Sequence, residues 1–480
     1  MSGVGKSLIT AGLCRILKQD GFDPAPFKSQ NMALNSFITA DGCEIGRAQA
    51  MQAFASGLEP EAAMNPILLK PSDDTGSQVI VNGHPIGNMS AREYFAYKTK
   101  LIPDIMKAFE SLESRHDPII IEGAGSPAEI NLKENDIVNM GLAKMLDAPV
   151  LLAADIDRGG VFAQLYGTVM LLEAEERRRI KGFIINKFRG DPSLLDSGIQ
   201  AIEEKTGIPV AGVIPYIRDL RLEDEDSLSE RLDAPCNDSA AIKIAVIRLS
   251  RMSNFSDLDP FLQNKDVSVY FTTDPDELKK ADLVIIPGTK NTIEDMALLQ
   301  STGAADALRA LKGSTPIFGI CGGYQLLGES IEDPDHVESG GFAEGLGFLP
   351  VKTVMYAEKC QRQTEGILDN EIKGIFHTLS GRCYEGYEIH AGRSFSAASA
   401  ASPLPVIFST DQDVYGTYVH GIFDRAEIAV SVLDSLASRK GVSLDLTDQT
   451  DQRILRGSRY DLLASTLRSS LDLGLIHDML

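Results

Sequence analysis

Short apolar runs bounded by glycine and proline alternate along this chain with stretches whose apolar residues recur every three or four positions. The first kind of pattern reads as buried strands and the second as amphipathic helices. In the first half the strand-like runs are PIIIEG (118–123), APVLLAAD (148–155), GFIINK (182–187) and PVAGVIP (209–215). The stretch RLEDEDSLSERLDAPCNDSA (221–240) then breaks the pattern, being charged and poor in large apolar side chains, as a solvated linker is. Beyond it the pattern resumes with IKIAVIRL, DLVIIPG and TPIFGI. Strands alternating with helices favour α/β architecture with mostly parallel sheets. The expected organisation is therefore two α/β domains, 1–230 and 241–480.

Composition narrows the function classes. The chain has 480 residues, 43% of them hydrophobic, enough to bury two or three cores. Its net charge of −22 disfavours nucleic acid as a partner, because such binding needs basic patches. No apolar run reaches membrane-spanning length and no charged-then-apolar leader opens the chain, so a cytoplasmic protein with no membrane partner is expected. The six cysteines include no C-x-x-C pair, which argues against a disulfide framework or a structural zinc site. Cys14, inside a helical pattern, reads as a small core residue.

The most informative stretch is TPIFGICGGYQLLG (315–328). An apolar strand runs into Cys321 through G-x-C-x-G, and an amphipathic segment follows, which is the strand–turn–helix form of a nucleophile elbow. Glycines suit this turn because it is tight and must let a substrate carbonyl approach the backbone. At a helix N-terminus the thiolate, the reactive form of cysteine, is favoured. The Gly322 amide is one expected oxyanion donor, and a second is expected near Gly288 in the loop IIPGTKNT. A cysteine nucleophile needs a base. Of seven histidines, His420 in YGTYVHGIFD and His390 in GYEIHAGR sit in suitable strand-like contexts.

These motifs resemble class I glutamine amidotransferases. More closely, GICGGYQ, GYEIHAGR and GTYVHGIFD are similar to the amidotransferase domain of the cobyric acid synthase family. The resemblance implies a flavodoxin-like α/β domain in which Cys321 is the nucleophile, His420 the base and L-glutamine the nitrogen donor. Many class I glutaminases carry Glu two residues after the histidine, where this chain has Ile422. A Cys-His dyad, or an acid borrowed from elsewhere with Glu388 as a candidate, is expected instead.

Ammonia released at such a site needs an electrophile. A carboxylate becomes one when ATP phosphorylates it, and this directs attention to the opening MSGVGKS, where Gly5-Lys6-Ser7 matches the back half of a phosphate-binding loop. Three further stretches fit a P-loop domain. IIIEGAGSPAEINL places Glu122 at a strand end, where a carboxylate can hold Mg²⁺. DIDRGGVFAQL follows the next strand, and GFIINKFRGD places Asn186 and Lys187 where an adenine-reading loop is expected. These, with PFKSQNMALNSFITADGCEIGRAQAMQA and MNPILLKP, also resemble the cobyric acid synthase family, so the likeness spans essentially the whole chain. It implies a dethiobiotin synthetase-like P-loop domain in which Lys6 and Ser7 meet phosphate and Mg²⁺. Glu122 would complete the metal site, Asn186 would read adenine, and Asp41 and Glu44 would touch metal or substrate. It further implies a strand and a Gly-Thr-type turn upstream of this opening, absent from a chain that starts at Met1. The family's activity is amidation of the b, d, e and g carboxylates of a corrinoid, adenosylcobyrinic acid a,c-diamide, whose cobalt belongs to the substrate. Two alternatives stand beside it. One is cobyrinic acid a,c-diamide synthase, against which DGCEIGRAQ argues. The other is a regulatory P-loop ATPase with a non-catalytic C-terminal domain, against which Cys321 and His420 argue.

Overall fold

The fold was obtained as a computed structural model, which describes residues 3–71, 76–217, 220, 222, 232, 235–396 and 404–480. Most of the expected linker lies outside these residues. The chain forms two compact units: residues 1–33, 43–226 and 456–480 make the first, and 34–42 with 227–455 the second. The expected domains, 1–230 and 241–480, are thus corrected at both ends, for reasons visible in each unit.

In the first unit, α1 (Lys6–Gln19) starts directly after Gly5, whose φ of 82° is left-handed and suits glycine. Strand β1 (Ala25–Phe27) precedes α2 (Arg47–Ser56) and β2 (Ile119–Ile121), with which it pairs in parallel. A second parallel sheet contains β3 (Val150–Asp155), β4 (Ile180–Phe188) and β5 (Val210–Pro215), in the order β5-β4-β3. A cavity of about 810 Å³ is lined by residues of both β2 and β3 and reaches Lys6, Glu122 and Gly125. Cys14 is buried on α1, as expected. Residues 456–480 join this unit because Tyr460, Leu463 and Leu467, one helical stripe, and Leu471 just beyond the helix pack in a single core with Ile9, Leu13 and Ile16. Gly12 permits that approach: a Cβ there would lie 2.5 Å from Leu467 Cδ2.

The second unit is built on a six-stranded sheet. Its strands are β6 (Ile242–Ile247), β7 (Val267–Thr272), β8 (Leu283–Ile286), β9 (Ile317–Ile320), β12 (Phe408–Ser409) and β13 (Val414–Thr417). The order is β7-β6-β8-β9-β13-β12, parallel except for the last pair. Without the edge strand β12 this is the flavodoxin-like order, in which ligands bind beyond the carboxyl ends of the strands. A second sheet carries the long hairpin of β10 (Lys352–Ile367) and β11 (Cys383–Phe395), with β14 (Val419–His420) paired to β11. Residues 34–42 belong here because Asn254 N donates to Asn35 Oδ1 (2.6 Å), Ser36 N donates to Asn254 Oδ1 (3.3 Å), and Ile38 packs with Tyr387 and Ile389.

Candidate active sites

In the second unit, β9 ends at Ile320 and Cys321 follows at φ 53°, ψ −108°, a conformation that non-glycine residues rarely adopt. A short helix, α3 (Gly322–Leu327), begins at the next residue. Such strain, of order 1–3 kcal/mol, is characteristic of functional turns. Close packing explains the glycines around it. A Cβ at Gly323 would strike the Ile286 carbonyl oxygen at 1.9 Å, and one at Gly322 would lie 2.7 Å from Thr289 Cγ2. One at Gly288 would lie 2.9 Å from His420 Cε1. The structure therefore brings Gly288, Gly322, Cys321 and His420 into one neighbourhood, as the sequence suggests.

His420 is completely buried, and its Nδ1 lies 2.7 Å from Asp257 Oδ2. The other Asp257 oxygen accepts the Gly421 N–H at 2.7 Å, so both carboxylate oxygens are fixed. The carboxylate can only accept, so Nδ1 carries the proton and Nε2 is the working atom. Nε2 is buried with no hydrogen-bond partner among the described residues. Burial opposes the imidazolium, yet the Asp257 carboxylate, together with the adjacent Cys321 sulfur, outweighs it and holds the His420 pKa up at about 10. Asp257 stands on a 3₁₀ turn, Phe255–Leu258, whose preceding residue Asn254 is the one held by Asn35.

This arrangement corrects the expected acid. Glu388 accepts hydrogen bonds from Arg362 at 2.9–3.2 Å and from His390 Nε2 at 3.4 Å, whereas the carboxylate bonded to His420 is that of Asp257. His390 Nδ1 lies 2.6 Å from the Gly392 carbonyl oxygen, so both its nitrogens are engaged away from Cys321. Ile422, where many class I enzymes carry Glu, is a fully buried core residue. Asp257 escaped the sequence reading because it lies 163 positions before His420, with no fixed spacing to find it. A signal did exist: a carboxylate among Phe255, Leu258 and Phe261 is destined for burial and must find a partner there.

The first unit gathers a second polar centre around Glu122, buried immediately after β2. Its Oε1 accepts from Ser7 Oγ (2.9 Å) and Lys28 Nζ (2.8 Å), and its Oε2 from Gln52 Nε2 (2.6 Å) and Gln49 Nε2 (3.3 Å). Burial raises the Glu122 pKa, but the charge and hydrogen bond of Lys28, with the hydrogen bonds from Gln52 and Ser7, prevail and leave it below the usual carboxylate range. Lys6 Nζ donates to the Gly125 carbonyl at 3.2 Å. The Asn186 amide donates to the Val4 carbonyl (2.8 Å) and the Lys187 ammonium to that of Gly3 (2.9 Å), so both hold the loop from beneath. Glu44 forms a fully buried ion pair with Lys70 at 2.7 Å, while Asp41 belongs to the second unit, where it accepts a hydrogen bond from Thr39. The sequence reading found Ser7, Lys6 and Glu122 but not Lys28, Gln49 or Gln52, whose spacing to Glu122 follows no motif.

Replacing Glu122 by glutamine should leave the buried Lys28 ammonium unpaired and destabilise the first unit by about 3–5 kcal/mol. Adding Lys28→Met should recover part of that loss in a thermal melt; a double variant no more stable than the single would refute the pairing. Because the folded Glu122 pKa lies below its unfolded value, its stabilisation is present above roughly pH 4.3. It is lost as pH falls through the lowered folded value.

These two centres, a phosphate loop facing a buried carboxylate and a cysteine elbow backed by a His–Asp pair, define a nucleotide-binding domain joined to a glutamine amidotransferase domain. Family models agree in class and in order. The CobQ/CobB/MinD/ParA nucleotide binding domain matches residues 1–229, and the CobB/CobQ-like glutamine amidotransferase domain matches 243–428. The chain is 50% identical over its full length to the cobyric acid synthase of Lachnoclostridium phytofermentans, covering 97% of that protein. It is 49% identical to that of Ruminiclostridium cellulolyticum, covering 95%, and 46% identical to that of Streptococcus sanguinis, covering 97%. The chain belongs to the cobyric acid synthase family. Among the described residues no helix is long and apolar enough to cross a membrane.

Proposed function

We propose that this chain hydrolyses L-glutamine at Cys321 and uses the ammonia, with ATP, to convert the b, d, e and g carboxylates of adenosylcobyrinic acid a,c-diamide into amides, yielding adenosylcobyric acid. The observation that carries the reading is the pairing of Asp257, His420 and Cys321 behind a strained elbow, in a chain about half identical to curated cobyric acid synthases. His420, held as an imidazolium by Asp257, keeps on Nε2 the proton taken from Cys321; the sulfur attacks the glutamine carboxamide as a thiolate, and Nε2 gives that proton to the departing ammonia. Water then cleaves the glutamyl thioester to glutamate. The amides of Gly288 and Gly322 are the proposed donors to the oxyanion.

In the first unit Gly5 and Lys6 are the proposed phosphate contacts. Ser7 and Glu122 offer Mg²⁺ the hard oxygen donors it prefers, so the residues fit the ion. Bound there, Mg²⁺ would neutralise phosphate charge during activation of the acceptor carboxylate. Lys28, Gln49 and Gln52 hold the Glu122 carboxylate in place, and Asn186 supports the loop backbone. Glu44 there, and Asp41 in the second unit, are proposed contacts to metal or substrate. The reading fits a protein working in the cytoplasm without nucleic acid or membrane. Glutamate release from glutamine by the whole chain, abolished with Cys321→Ala, tests the glutaminase half; release that persists in that variant rejects it.

A further inference from the structure

The hairpin of β10 and β11 carries a second cluster that the proposed reaction does not use. Cys360 on β10 stands opposite His390 on β11, and Arg362 opposite Glu388. Positions two apart on a strand share a face, so register alone puts these four side chains together on one side of the sheet. Cys360 Sγ lies 3.5 Å from Glu388 Oε2, and His390 Nε2 lies 3.4 Å from the same oxygen. One ligand atom from each of Cys360, Glu388 and His390 falls within 4.8 Å of the other two.

We propose that Cys360, Glu388 and His390 form a binding site for a borderline-soft divalent cation, with Zn²⁺ the best match. Three observations carry this. Zn²⁺ bonds of about 2.0–2.3 Å in a tetrahedron put neighbouring ligand atoms roughly 3.3–3.7 Å apart, and the separations of 3.5 and 3.4 Å fall there. One thiol, one imidazole and one carboxylate make a mixed S/N/O donor set, which suits Zn²⁺ and does not suit Mg²⁺ or Ca²⁺. The His390 ring is already oriented as a metal ligand: Nδ1 faces the Gly392 carbonyl at 2.6 Å and must carry a proton, so Nε2 is the nitrogen that faces the cluster, where a cation would replace the proton it shares with Glu388. The ring is further fixed by stacking on Tyr418 with centroids 3.8 Å apart.

The cation's competitor is Arg362, whose guanidinium pairs with Glu388 at 2.9 Å. Its side chain is 63% exposed and can leave, whereas the His390 and Glu388 side chains are 8% and 13% exposed and stay. Binding exchanges the thiol proton of Cys360 and the Nε2 proton of His390 for the metal, with both protons released to solvent. The site adjoins the nucleophile: Ile389, between two of the ligands, offers the carbonyl on which Cys321 Sγ rests at 3.5 Å. A bound ion would therefore fix the backbone that borders Cys321.

The test uses the full chain carrying Cys321→Ser, so that the catalytic thiol and His420 do not compete for metal. Calorimetry with Zn²⁺ alone should give one site per chain, and Co²⁺ in its place should show a thiolate charge-transfer band. Cys360→Ser should remove the band and weaken Zn²⁺ by at least the roughly 10–100-fold typical of losing an outer-shell partner. Cys383→Ser, at an exposed thiol, should change neither. Arg362→Gln should act in the opposite direction and tighten Zn²⁺ by removing the competing cation, a gain that misfolding cannot imitate. The proposal is overturned if the Cys321→Ser chain takes up no Zn²⁺, if the band survives Cys360→Ser, or if Arg362→Gln weakens binding.

Discussion

Replacing Cys321 with serine should abolish amidation driven by glutamine and leave amidation driven by an ammonium salt unchanged. The substitution keeps the size of the side chain at a backbone position whose φ of 53° few residues tolerate, so the elbow should survive it. What it removes is the sulfur nucleophile. In cooperative nucleophile–base constellations, loss of the nucleophile costs on the order of 10⁶ in turnover. The acceptor centre around Ser7 and Glu122 has its own core and its own polar partners, and nothing in its geometry depends on Cys321. Amide formation with each nitrogen source, measured side by side, separates the two halves. Equal loss with glutamine and with ammonium would mean that Cys321 does something other than supply ammonia.

The second large effect is expected at the base. His420→Ala should lower kcat/KM for glutamine hydrolysis by roughly 10²–10⁴-fold, the usual worth of a positioned general base. Asp257→Asn is the more diagnostic change. An amide there can donate to Nδ1 and so favour the wrong tautomer, a fault worth up to about 10⁴ in serine proteases. It also withdraws the charge that holds the His420 pKa up at about 10 against its burial. Whatever activity remains should therefore lose its alkaline limb at lower pH than the parent chain, since a less basic imidazole gives up its proton earlier. His390→Ala should cost far less than either, because both its nitrogens are committed to Gly392 and Glu388. A pH profile unmoved by Asp257→Asn, or a His390 variant worse than the His420 one, would contradict the assignment.

The parts of this molecule that were legible in the sequence are those held together by short-range geometry. A strand, a glycine turn and a helix start must be contiguous, so the Cys321 elbow announced itself, as did Ser7 at the head of α1 and Glu122 at the end of β2. Asp257 was not legible because a carboxylate can reach an imidazole from any element that the topology brings near, and no spacing records which one does. Lys28, Gln49 and Gln52 were hidden likewise, as buried polar side chains that satisfy the Glu122 carboxylate. The division of the chain failed at residues 34–42 and 456–480. A helical stripe such as Tyr460, Leu463 and Leu467 states that a face will be covered, but not which core will cover it.

The central claim is that one chain moves nitrogen from glutamine to corrinoid carboxylates at the expense of ATP. Mass spectrometry of adenosylcobyrinic acid a,c-diamide incubated with the chain, ATP, Mg²⁺ and glutamine labelled with nitrogen-15 at the amide tests it most directly. The account predicts stepwise replacement of four carboxylic acids by labelled amides, with none in the absence of ATP. A substrate that emerges unlabelled while glutamine is hydrolysed, or labelling only of a cobyrinic acid lacking the a and c amides, would contradict it.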